Sequence, residues 1–227
     1  MATAKSQRIG IWVIAIVMLV GTIGSFAVMI LGTKNSNVDQ ARVKQLTDTY
    51  QKEYDVYQGK VSDQATQLST KYFSEFNQYA GRPAVFDRDS VKTLATADLK
   101  AGDGTALTKD SAFTAYYIGW TPNGKVFDGS IDGTKLKAPF TASPGGVITG
   151  WTKGVEGMKV GGVRELTIPS DDAYGEKGSG DSIPPNTPLK FVIMVIPTPE
   201  TIPQPEMPQE LLDYYSKRIL HQFLVHN

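Results

Sequence analysis

The stretch of sequence that decides the fold runs from Val147 to Phe191 and reads VITGWTKGVEGMKVGGVRELTIPSDDAYGEKGSGDSIPPNTPLKF. It contains one tryptophan, Trp151, in a short glycine-framed segment, then a strand pattern and a glycine-rich loop that ends in Ile183-Pro184-Pro185. No residues in it are arranged as a nucleophile with its base, as a metal site or as a phosphate-binding loop. The stretch therefore predicts an apolar pocket with a few polar atoms on its rim.

Short β-rich segments lie on both sides of this stretch and are separated by turn residues. The segment Leu189–Ile196 is apolar at nearly every position, so both of its faces should be covered, and the flanking helices are the expected cover. The pattern predicts an α+β fold, an antiparallel sheet folded around one small helix. The predicted elements are strands at Val91–Leu99, Phe113–Gly119, Lys125–Asp128, from Pro139 onward, Val163–Ile168 and Leu189–Ile196, and a helix at Trp151–Met158.

Composition excludes several classes of function. The chain of 227 residues has 23 lysines and arginines and 23 aspartates and glutamates, so no net charge attracts nucleic acid and no such partner is expected. It has no cysteine, which excludes disulfides, thiolate catalysis and cysteine-bound metals. The two histidines, His221 and His226, lie near the carboxyl end, so the main domain cannot contain a histidine-based triad or a zinc site.

An uncharged apolar segment covers residues 9–32, after a short tail at residues 1–8. A helix of that length would be about 36 Å long, enough to cross a hydrocarbon core of about 30 Å. A cleaved signal peptide is the alternative, but the apolar run continues past Ser25-Phe26-Ala27, which most resembles a cleavage site. We therefore expect a single-pass transmembrane anchor in the cell membrane, with the following domain on the extracytoplasmic side.

Two amphipathic segments flank the pocket region. In residues 38–80 apolar side chains recur about every 3.6 positions, which predicts a long helical stalk that could be interrupted at Gly59. After a proline-rich linker at residues 198–207, we expect a C-terminal helix at residues 208–225. The stalk's apolar stripe must be covered. Packing within the chain is the favoured interpretation, and a homodimer through residues 38–80 or a client-binding surface are the alternatives. The stripe comprises Val43, Leu46, Tyr50, Tyr54, Tyr57, Val61, Ala65, Leu68, Tyr72, Phe76 and Tyr79.

A series of short motifs, in order along the chain, resembles the FKBP-type peptidyl-prolyl isomerases and places such a domain at residues 85–197. The resemblance implies an antiparallel half-barrel wrapped around a short helix, and rotation about the bond before proline as the activity. It also implies proline-containing polypeptides as clients, a macrolide as a further ligand, and neither a cofactor nor a metal. The motifs are Tyr116-Tyr117-Ile118-Gly119, Asn123-Gly124-Lys125-Val126-Phe127-Asp128, Pro139-Phe140, Val147-Ile148-Thr149-Gly150-Trp151, Gly154-Val155-Glu156-Gly157-Met158, Ala173-Tyr174-Gly175 and Ile183-Pro184-Pro185.

The resemblance also implies roles for individual residues. Trp151 would be the floor of the pocket, and the backbone N–H of Ile148 and the hydroxyl of Tyr174 would hold the substrate carbonyl. Asp128 would interact with the rotating carbonyl carbon or hold neighbouring groups. Ile183 would bind substrate at the rim, where Asp128 and Tyr174 also lie. The remaining substrate-binding residues would be the walls Tyr117, Phe127, Phe140, Val147 and Phe191.

The sequence departs from the family pattern around the pocket. The segment between Asp128 and Pro139 is long and offers Asp128 no arginine partner, and Ala142 stands where a second aromatic residue is usual. Ser179 and Ser182 stand where larger residues often contact ligands. One wall is therefore thinner, and two hypotheses remain. The chain is either an isomerase that assists folding of extracytoplasmic proteins, or a non-catalytic FKBP-fold chaperone or scaffold that binds extended client segments.

Overall fold

The structure is a computed structural model that describes residues 37–216. The predicted anchor at residues 9–32 and the end of the predicted C-terminal helix lie outside the described residues. Within residues 37–216, no helix has both the length and the apolar character needed to cross a membrane. These residues form two compact units, one of residues 37–62 with 201–216 and the other of residues 63–200.

Helices and strands are largely segregated along the chain, as expected of an α+β fold. The long helix α1 (Asn37–Asn77) passes through Gly59 without interruption. The short helix is α2 (Thr149–Gly154), and a third helix, α3, covers residues 209–216. The strands are β1 (Ala95–Lys100), β2 (Phe113–Trp120), β3 (Val126–Gly129), β4 (Ile131–Asp132), β5 (Lys135–Leu136), β6 (Phe140–Ala142), β7 (Val163–Ile168) and β8 (Leu189–Ile196). Two 3-10 turns lie at Ser170–Asp172 and Gly175–Lys177.

One antiparallel sheet organises the unit of residues 63–200. Its strands lie in the order β1-β7-β8-β2-β3, and β6 pairs with the first residues of β2. β8 is central because it pairs with β2 on one side and with the whole of β7 on the other. β4 and β5 form a separate two-stranded hairpin. The predicted α+β fold with an antiparallel sheet is confirmed.

Both faces of β2 and β8 are buried, which explains why neither strand alternates apolar with polar residues. On the inner face, side chains of both strands join α2 in a cluster that contains Trp151. On the outer face, they join residues of α1, among them the fully buried Phe76. The prediction that a helix covers one side of the last strand is confirmed. The inner face comprises Phe113, Ala115, Tyr117, Phe191, Ile193 and Val195, and the outer face comprises Tyr116, Ile118, Trp120, Val192, Met194 and Ile196.

The second half of α1 forms a layer on the outer face of the sheet. The ring of Phe76 lies 6.1 Å from the ring of Tyr116, and the ring of Tyr72 lies at the same distance from it. Ser69 is buried and its hydroxyl oxygen accepts a hydrogen bond from the backbone N–H of Leu136 (2.8 Å), which fastens the β4–β5 hairpin to the helix. The compact unit therefore starts at residue 63, before residue 85, where the predicted isomerase domain begins.

The first half of α1 packs within the other unit. Tyr50 and Tyr54 are buried with Leu211 of α3 in a small apolar cluster. Arg42 and Glu210 form an exposed ion pair across the same two helices (3.1 Å). Side chains along both halves of the predicted stripe are thus covered inside one chain, and their burial requires no second copy.

Strand β1 begins at Ala95, not at Val91 as predicted. The carboxylate of Asp87 accepts a hydrogen bond from the N–H of Asp89 (2.9 Å), and the N–H of Val91 donates to the carbonyl of Arg88 (3.4 Å). Aspartate favours such local turns, which compete with strand pairing. The residues around Val91 therefore belong to a turn, and pairing with β7 starts four residues later.

Helix α2 begins and ends earlier than the predicted Trp151–Met158. Gly157 has a φ of 74°, a left-handed conformation that glycine adopts without strain and that ends helices. Its N–H donates to the carbonyl of Leu107 (2.9 Å) instead of continuing the helix. The helix is therefore shorter than two turns, and the residues after Gly154 connect it to the sheet.

Candidate functional site

Trp151 lies on α2, where two glycines let the helix approach β7 closely. A Cβ atom at Gly150 would lie 2.3 Å from Cγ2 of Ile168, and one at Gly154 would lie 2.7 Å from Cδ1 of Leu166. Any larger residue at either position would push the helix away from the strand. The two glycines thus hold α2 against the inner face and bring the indole of Trp151 into the sheet's apolar cluster.

Four aromatic rings pack around the Trp151 indole among the described residues. Tyr117 and Phe191 meet it edge-on with ring centroids 5.3 Å away, and Phe140 does so at 5.7 Å. Phe113 stacks on it at 6.3 Å. Edge-to-face pairs of this kind each contribute about 0.5–1.5 kcal/mol beyond the area they bury. Trp151 is only 5% exposed, so the rings form a rigid apolar floor with little access for water.

Phe127 extends this aromatic wall from β3. Its ring meets the ring of Phe191 edge-on at 5.5 Å. Both rings lie over Gly119 of β2, where a Cβ atom would come within 2.6 Å of the Phe191 ring and 2.7 Å of the Phe127 ring. Glycine at this position therefore makes room for the wall. Val147 and Ile148, both half-buried, pack against the same cluster.

Asp128 is held by a phenol and a backbone amide. The hydroxyl of Tyr117 donates a hydrogen bond to Oδ2 of Asp128, and the N–H of Gly129 donates to Oδ1 (2.8 Å). Ser130 fixes the same point of the sheet, because its Oγ accepts from the N–H of Tyr117 (3.0 Å) and its N–H donates to the Tyr117 carbonyl (2.8 Å). The segment between Asp128 and Pro139 contains no arginine, and the phenol of Tyr117 is the side chain that donates to this carboxylate.

The two phenols nearest Asp128 resist ionisation. Burial raises the pKa of Tyr117, and the hydrogen bond to Asp128 with its negative charge raises it further. Burial also raises the pKa of Tyr174, and the charge of Asp128 adds to the effect. Both hydroxyls therefore keep their protons at neutral pH. Tyr174 is 38% exposed, so its side chain is open to a ligand that enters from solvent.

Ile148 is the residue that precedes the first turn of α2. Its carbonyl accepts hydrogen bonds from the N–H groups of Trp151 (3.0 Å) and Thr152 (3.3 Å). No side chain caps this end of the helix among the described residues. The N–H of Ile148 itself lies ahead of the helical hydrogen bonds, as do the first donors of any helix. It is thus a backbone donor beside the Trp151 floor.

Ile183 was predicted at the rim, but it lies deeper. Its side chain is 4% exposed and belongs to the cluster around Trp151. The cause is local, because Ser179 and Ile183 exchange two backbone hydrogen bonds (2.8 and 3.2 Å) that turn the loop back on itself. Ser179 and Ser182 remain exposed. The rim beside Ile183 is therefore lined by small polar side chains.

The structure brings the ten predicted site residues together, and it adds residues that the sequence did not single out. Phe113 stacks on Trp151 in the same cluster, which also buries Ala142, the residue noted above in place of a usual aromatic. Phe113 could have been found, because it lies four residues before Tyr117 on one strand and so shares its face. The contact between Tyr117 and Asp128 joins two strands and has no local pattern that predicts it.

A separate cavity of about 280 Å³ is lined in part by residues next to Ile183 and shares no lining residue with the aromatic pocket. Nowhere in residues 37–216 do three or more side chains of the metal-binding types group closely enough to hold an ion. The lining residues of the cavity are Arg88, Thr121, Pro122, Asn123, Lys125, Asp181, Ser182, Pro184 and Thr187.

Comparison with known proteins gives consistent similarities. The family described as FKBP-type peptidyl-prolyl cis-trans isomerase matches residues 104–196. An FK506-binding protein of Neisseria meningitidis serogroup A is 41% identical over 104 residues, which cover 46% of this chain and 94% of that protein. A probable FKBP-type peptidyl-prolyl cis-trans isomerase FkpA of Neisseria meningitidis serogroup B is 39% identical over 51% of this chain and 44% of that protein. A crystal structure of a peptidyl-prolyl cis-trans isomerase from Pseudomonas syringae pv. tomato has a TM-score of 0.42 and 29% identity, and covers 61% of this chain and 96% of that one.

Proposed function

Because this chain belongs to the FKBP-type peptidyl-prolyl cis-trans isomerases, we propose that the aromatic pocket around Trp151 is where it catalyses rotation about the bond before proline. Membership rests on 41% identity over 94% of a Neisseria FK506-binding protein and on the family match at residues 104–196. The chain is thus an isomerase, and a purely non-catalytic role is not favoured. The observation that carries the site is the packing of aromatic rings on the buried Trp151, with Asp128 at their edge.

The chemistry needs no nucleophile. Rotation about a peptide bond costs about 18–20 kcal/mol because resonance between nitrogen and carbonyl is lost. In the twisted amide the nitrogen recovers its lone pair and the carbonyl is less polarised. A dry apolar floor stabilises that state relative to the planar amide, which is differential binding of the transition state. The indole of Trp151, which is only 5% exposed, provides such a floor.

Polar groups at the edge orient the substrate. The N–H of Ile148 and the hydroxyl of Tyr174, which keeps its proton at neutral pH, donate to carbonyls of the bound chain. Asp128, oriented by Tyr117, faces the rotating carbonyl carbon and adds a fixed negative charge. Ile183 and Phe191 enclose the proline ring.

A matched pair of tryptophans tests this site. Trp151 of the inner face and Trp120 of the outer face are both buried, and the indole N–H of each has no partner among the described residues. Trp151→Phe and Trp120→Phe therefore remove the same unpaired group from opposite sides of the sheet. Cis–trans exchange of an X-Pro peptide, measured by NMR, gives the activity of each variant. We expect Trp151→Phe to lower kcat/KM about fivefold and Trp120→Phe to change it less than about twofold. Equal effects of the two changes would reject the pocket as the site.

We further propose that residues 9–32 anchor the chain in the cell membrane and that the isomerase lies on the extracytoplasmic side, where it assists folding of exported proteins. The support is the uncharged apolar run, which is long enough to span a bilayer. Protease added to intact cells should remove the isomerase domain, and deletion of residues 9–32 should move the chain out of the membrane fraction. Protection of the domain until cells are permeabilised would instead place it inside.

Two further partners are proposed. A macrolide is a candidate ligand for the aromatic pocket, since a similar Neisseria protein is an FK506-binding protein. Inhibition of the wild type by FK506, and loss of that inhibition in Trp151→Phe, would support it, and absence of inhibition would refute it.

A homodimer through residues 38–80 remains a prediction, and sedimentation analysis of the full chain with and without these residues tests it.

A further inference from the structure

The loop of residues 175–187, here called the Ile183 loop, closes on itself before it reaches the pocket. At its base the N–H of Asn186 donates to the carbonyl of Gly175 (2.8 Å). Gly178 has a φ of 63°, and a Cβ atom there would lie 2.2 Å from the carbonyl oxygen of Ile183. The backbone thus passes over itself, and the side chain of Ile183 enters the Trp151 cluster.

One side chain from outside the loop holds its base. Nη2 of Arg88 donates hydrogen bonds to the carbonyls of Pro185 (3.2 Å) and Asn186 (2.8 Å). These carbonyls follow Ile183 by two and three residues, and Asn186 is in a left-handed conformation with a φ of 54°. Hydrogen bonds from a charged donor are stronger than those from a neutral one.

The segment that carries Arg88 is itself fixed to the sheet. Val85 pairs with Asn123 in the turn between β2 and β3, and the N–H of Phe86 donates to the carbonyl of Pro122 (3.0 Å). Phe86 also packs against the outer-face cluster. The segment that carries Arg88 is therefore fixed to the end of β2, the strand that contains Tyr117.

The other side of the Ile183 loop has less support. Ser182 and Pro184 line the open cavity of about 280 Å³, whereas Ile183 between them is buried with Trp151. Arg88 lines the same cavity, and its guanidinium bonds to the loop at the carbonyls of Pro185 and Asn186. Besides the apolar burial of Ile183, the two hydrogen bonds from the Arg88 guanidinium hold this part of the loop from outside.

We propose that Arg88 is a positioning residue for the isomerase, which holds the Ile183 loop so that Ile183 stays in the wall of the proline pocket. This proposal rests on the proposed function of the Trp151 pocket. A loosened loop would leave the floor intact but would weaken the hold on the proline ring, so substrate binding should suffer more than the rotation step.

The test compares Arg88→Ala with Arg82→Ala in the full chain. Arg82 is a suitable control because it is also exposed and makes two hydrogen bonds, but to Glu165 of β7, away from the loop. With an X-Pro peptide followed by NMR, Arg88→Ala should raise KM about fivefold with kcat changed less than about twofold, and Arg88→Lys should recover part of the loss. Arg82→Ala should leave both constants near those of the wild type.

Hydrogen exchange adds a readout of loop order. The N–H of Ile183, which donates to Ser179, should exchange faster in Arg88→Ala and at the wild-type rate in Arg82→Ala. An unchanged KM and unchanged exchange in Arg88→Ala, or equal losses in the two variants, would overturn the proposal. Failure of the pocket itself would appear differently, as a wild-type rate that Trp151→Phe does not lower.

Discussion

Strands β2 and β8 contribute side chains to both faces of the central sheet, but what packs on each face is different. On the inner face, Tyr117 and Phe191 pack edge-on against Trp151 and leave an opening at which Asp128 and Tyr174 are exposed. On the outer face, residues of α1 pack on the strands, and Phe76, Tyr116 and Trp120 are at most 2% exposed. The rim of the inner face keeps rings open to solvent, since Phe140 and Tyr174 are each 38% exposed.

The difference is clearest at two adjacent tyrosines. The Tyr116 hydroxyl points to the outer face, is buried and has no hydrogen-bond partner among the described residues. The Tyr117 hydroxyl on the inner face donates to Asp128. Burial raises the pKa of both phenols, that of Tyr116 to about 12. An unpaired buried hydroxyl costs stability, so the hydroxyl of Tyr116 weakens the fold, whereas that of Tyr117 is satisfied by the carboxylate of Asp128.

Removal of the helical cover should have the largest effect. The fragment 85–197 contains every pocket motif but lacks Leu68, Tyr72 and Phe76, which pack on the outer face. Exposing the apolar surface beneath them should cost about 5 kcal/mol or more, comparable with the whole stability of a domain. The fragment 63–200 should therefore melt in one cooperative transition by circular dichroism, whereas 85–197 should be unfolded or aggregated.

Each fragment serves as the control for the other, because both contain the entire pocket. If 85–197 melted at the same temperature as 63–200, the outer face would not need its helix, and the contrast between the faces would fail. Activity assays on the isolated domain depend on the same point, since a fragment that starts at residue 85 would lose its rate through unfolding.

A single substitution on the outer face should lower stability without changing the isomerase activity. Phe76 is fully buried, so Phe76→Ala should destabilise the chain by about 3–5 kcal/mol through lost burial and the cavity left behind. Urea unfolding measures the loss. At a temperature at which the variant is folded, kcat/KM should match the wild type. A lower kcat/KM in the folded variant would mean that the outer face takes part in the reaction.

The reverse result is expected at Asp128. Asp128→Asn removes the charge while the amide oxygen can still accept from Tyr117, so kcat/KM should fall about tenfold with stability changed by less than about 1 kcal/mol. Asp132→Asn, in the nearby β4–β5 hairpin where Asp132 pairs with Lys135 (3.7 Å), is the control and should change neither. Equal rates in the two variants would remove Asp128 from the mechanism.

Local patterns in the sequence were sufficient to predict the sheet, whereas Trp151 was assigned as the pocket floor through the resemblance to the family. Val163–Ile168 and Leu189–Ile196 are strands as predicted, and the apolar character of the latter on both faces predicted its two covers. The burial of Trp151 follows from its position on a glycine-framed helix. These features depend on residues close together in the chain, where periodicity and turn chemistry are informative.

Features that join distant segments could not be predicted in this way. The partner of Asp128 is a hydroxyl on a neighbouring strand, and the seal of the outer face comes from Phe76, more than a hundred residues before β8. The depth of Ile183 depends on hydrogen bonds with Ser179 that fold the loop inward. The spacing of residues along the sequence predicts the helix or strand in which each one lies, but it does not predict which helices and strands pack together.

The adjacent tyrosines also predict a dependence on alkaline pH. An unfolded tyrosine loses its proton near pH 10, whereas folded Tyr116 holds its proton until its pKa of about 12. Between these values the folded state binds more protons than the unfolded state, so stability falls as pH rises, by up to about 3 kcal/mol. Tyr116→Phe should remove this contribution, seen as a smaller loss of melting temperature between pH 10 and pH 12.

The most direct test of the contrast between the two faces is kcat/KM and stability at pH 7 for Tyr116→Phe and Tyr117→Phe. Each change removes one hydroxyl, from neighbouring residues on opposite faces, of which Tyr116 is buried and Tyr117 half-buried. Tyr117→Phe should lower kcat/KM about threefold because Asp128 loses its donor, with stability within about 1 kcal/mol. Tyr116→Phe should leave kcat/KM unchanged and stability equal or higher, since its hydroxyl has no partner among the described residues. Equal kcat/KM in the two variants, or a larger loss in Tyr116→Phe, would contradict the assignment of catalysis to the inner face.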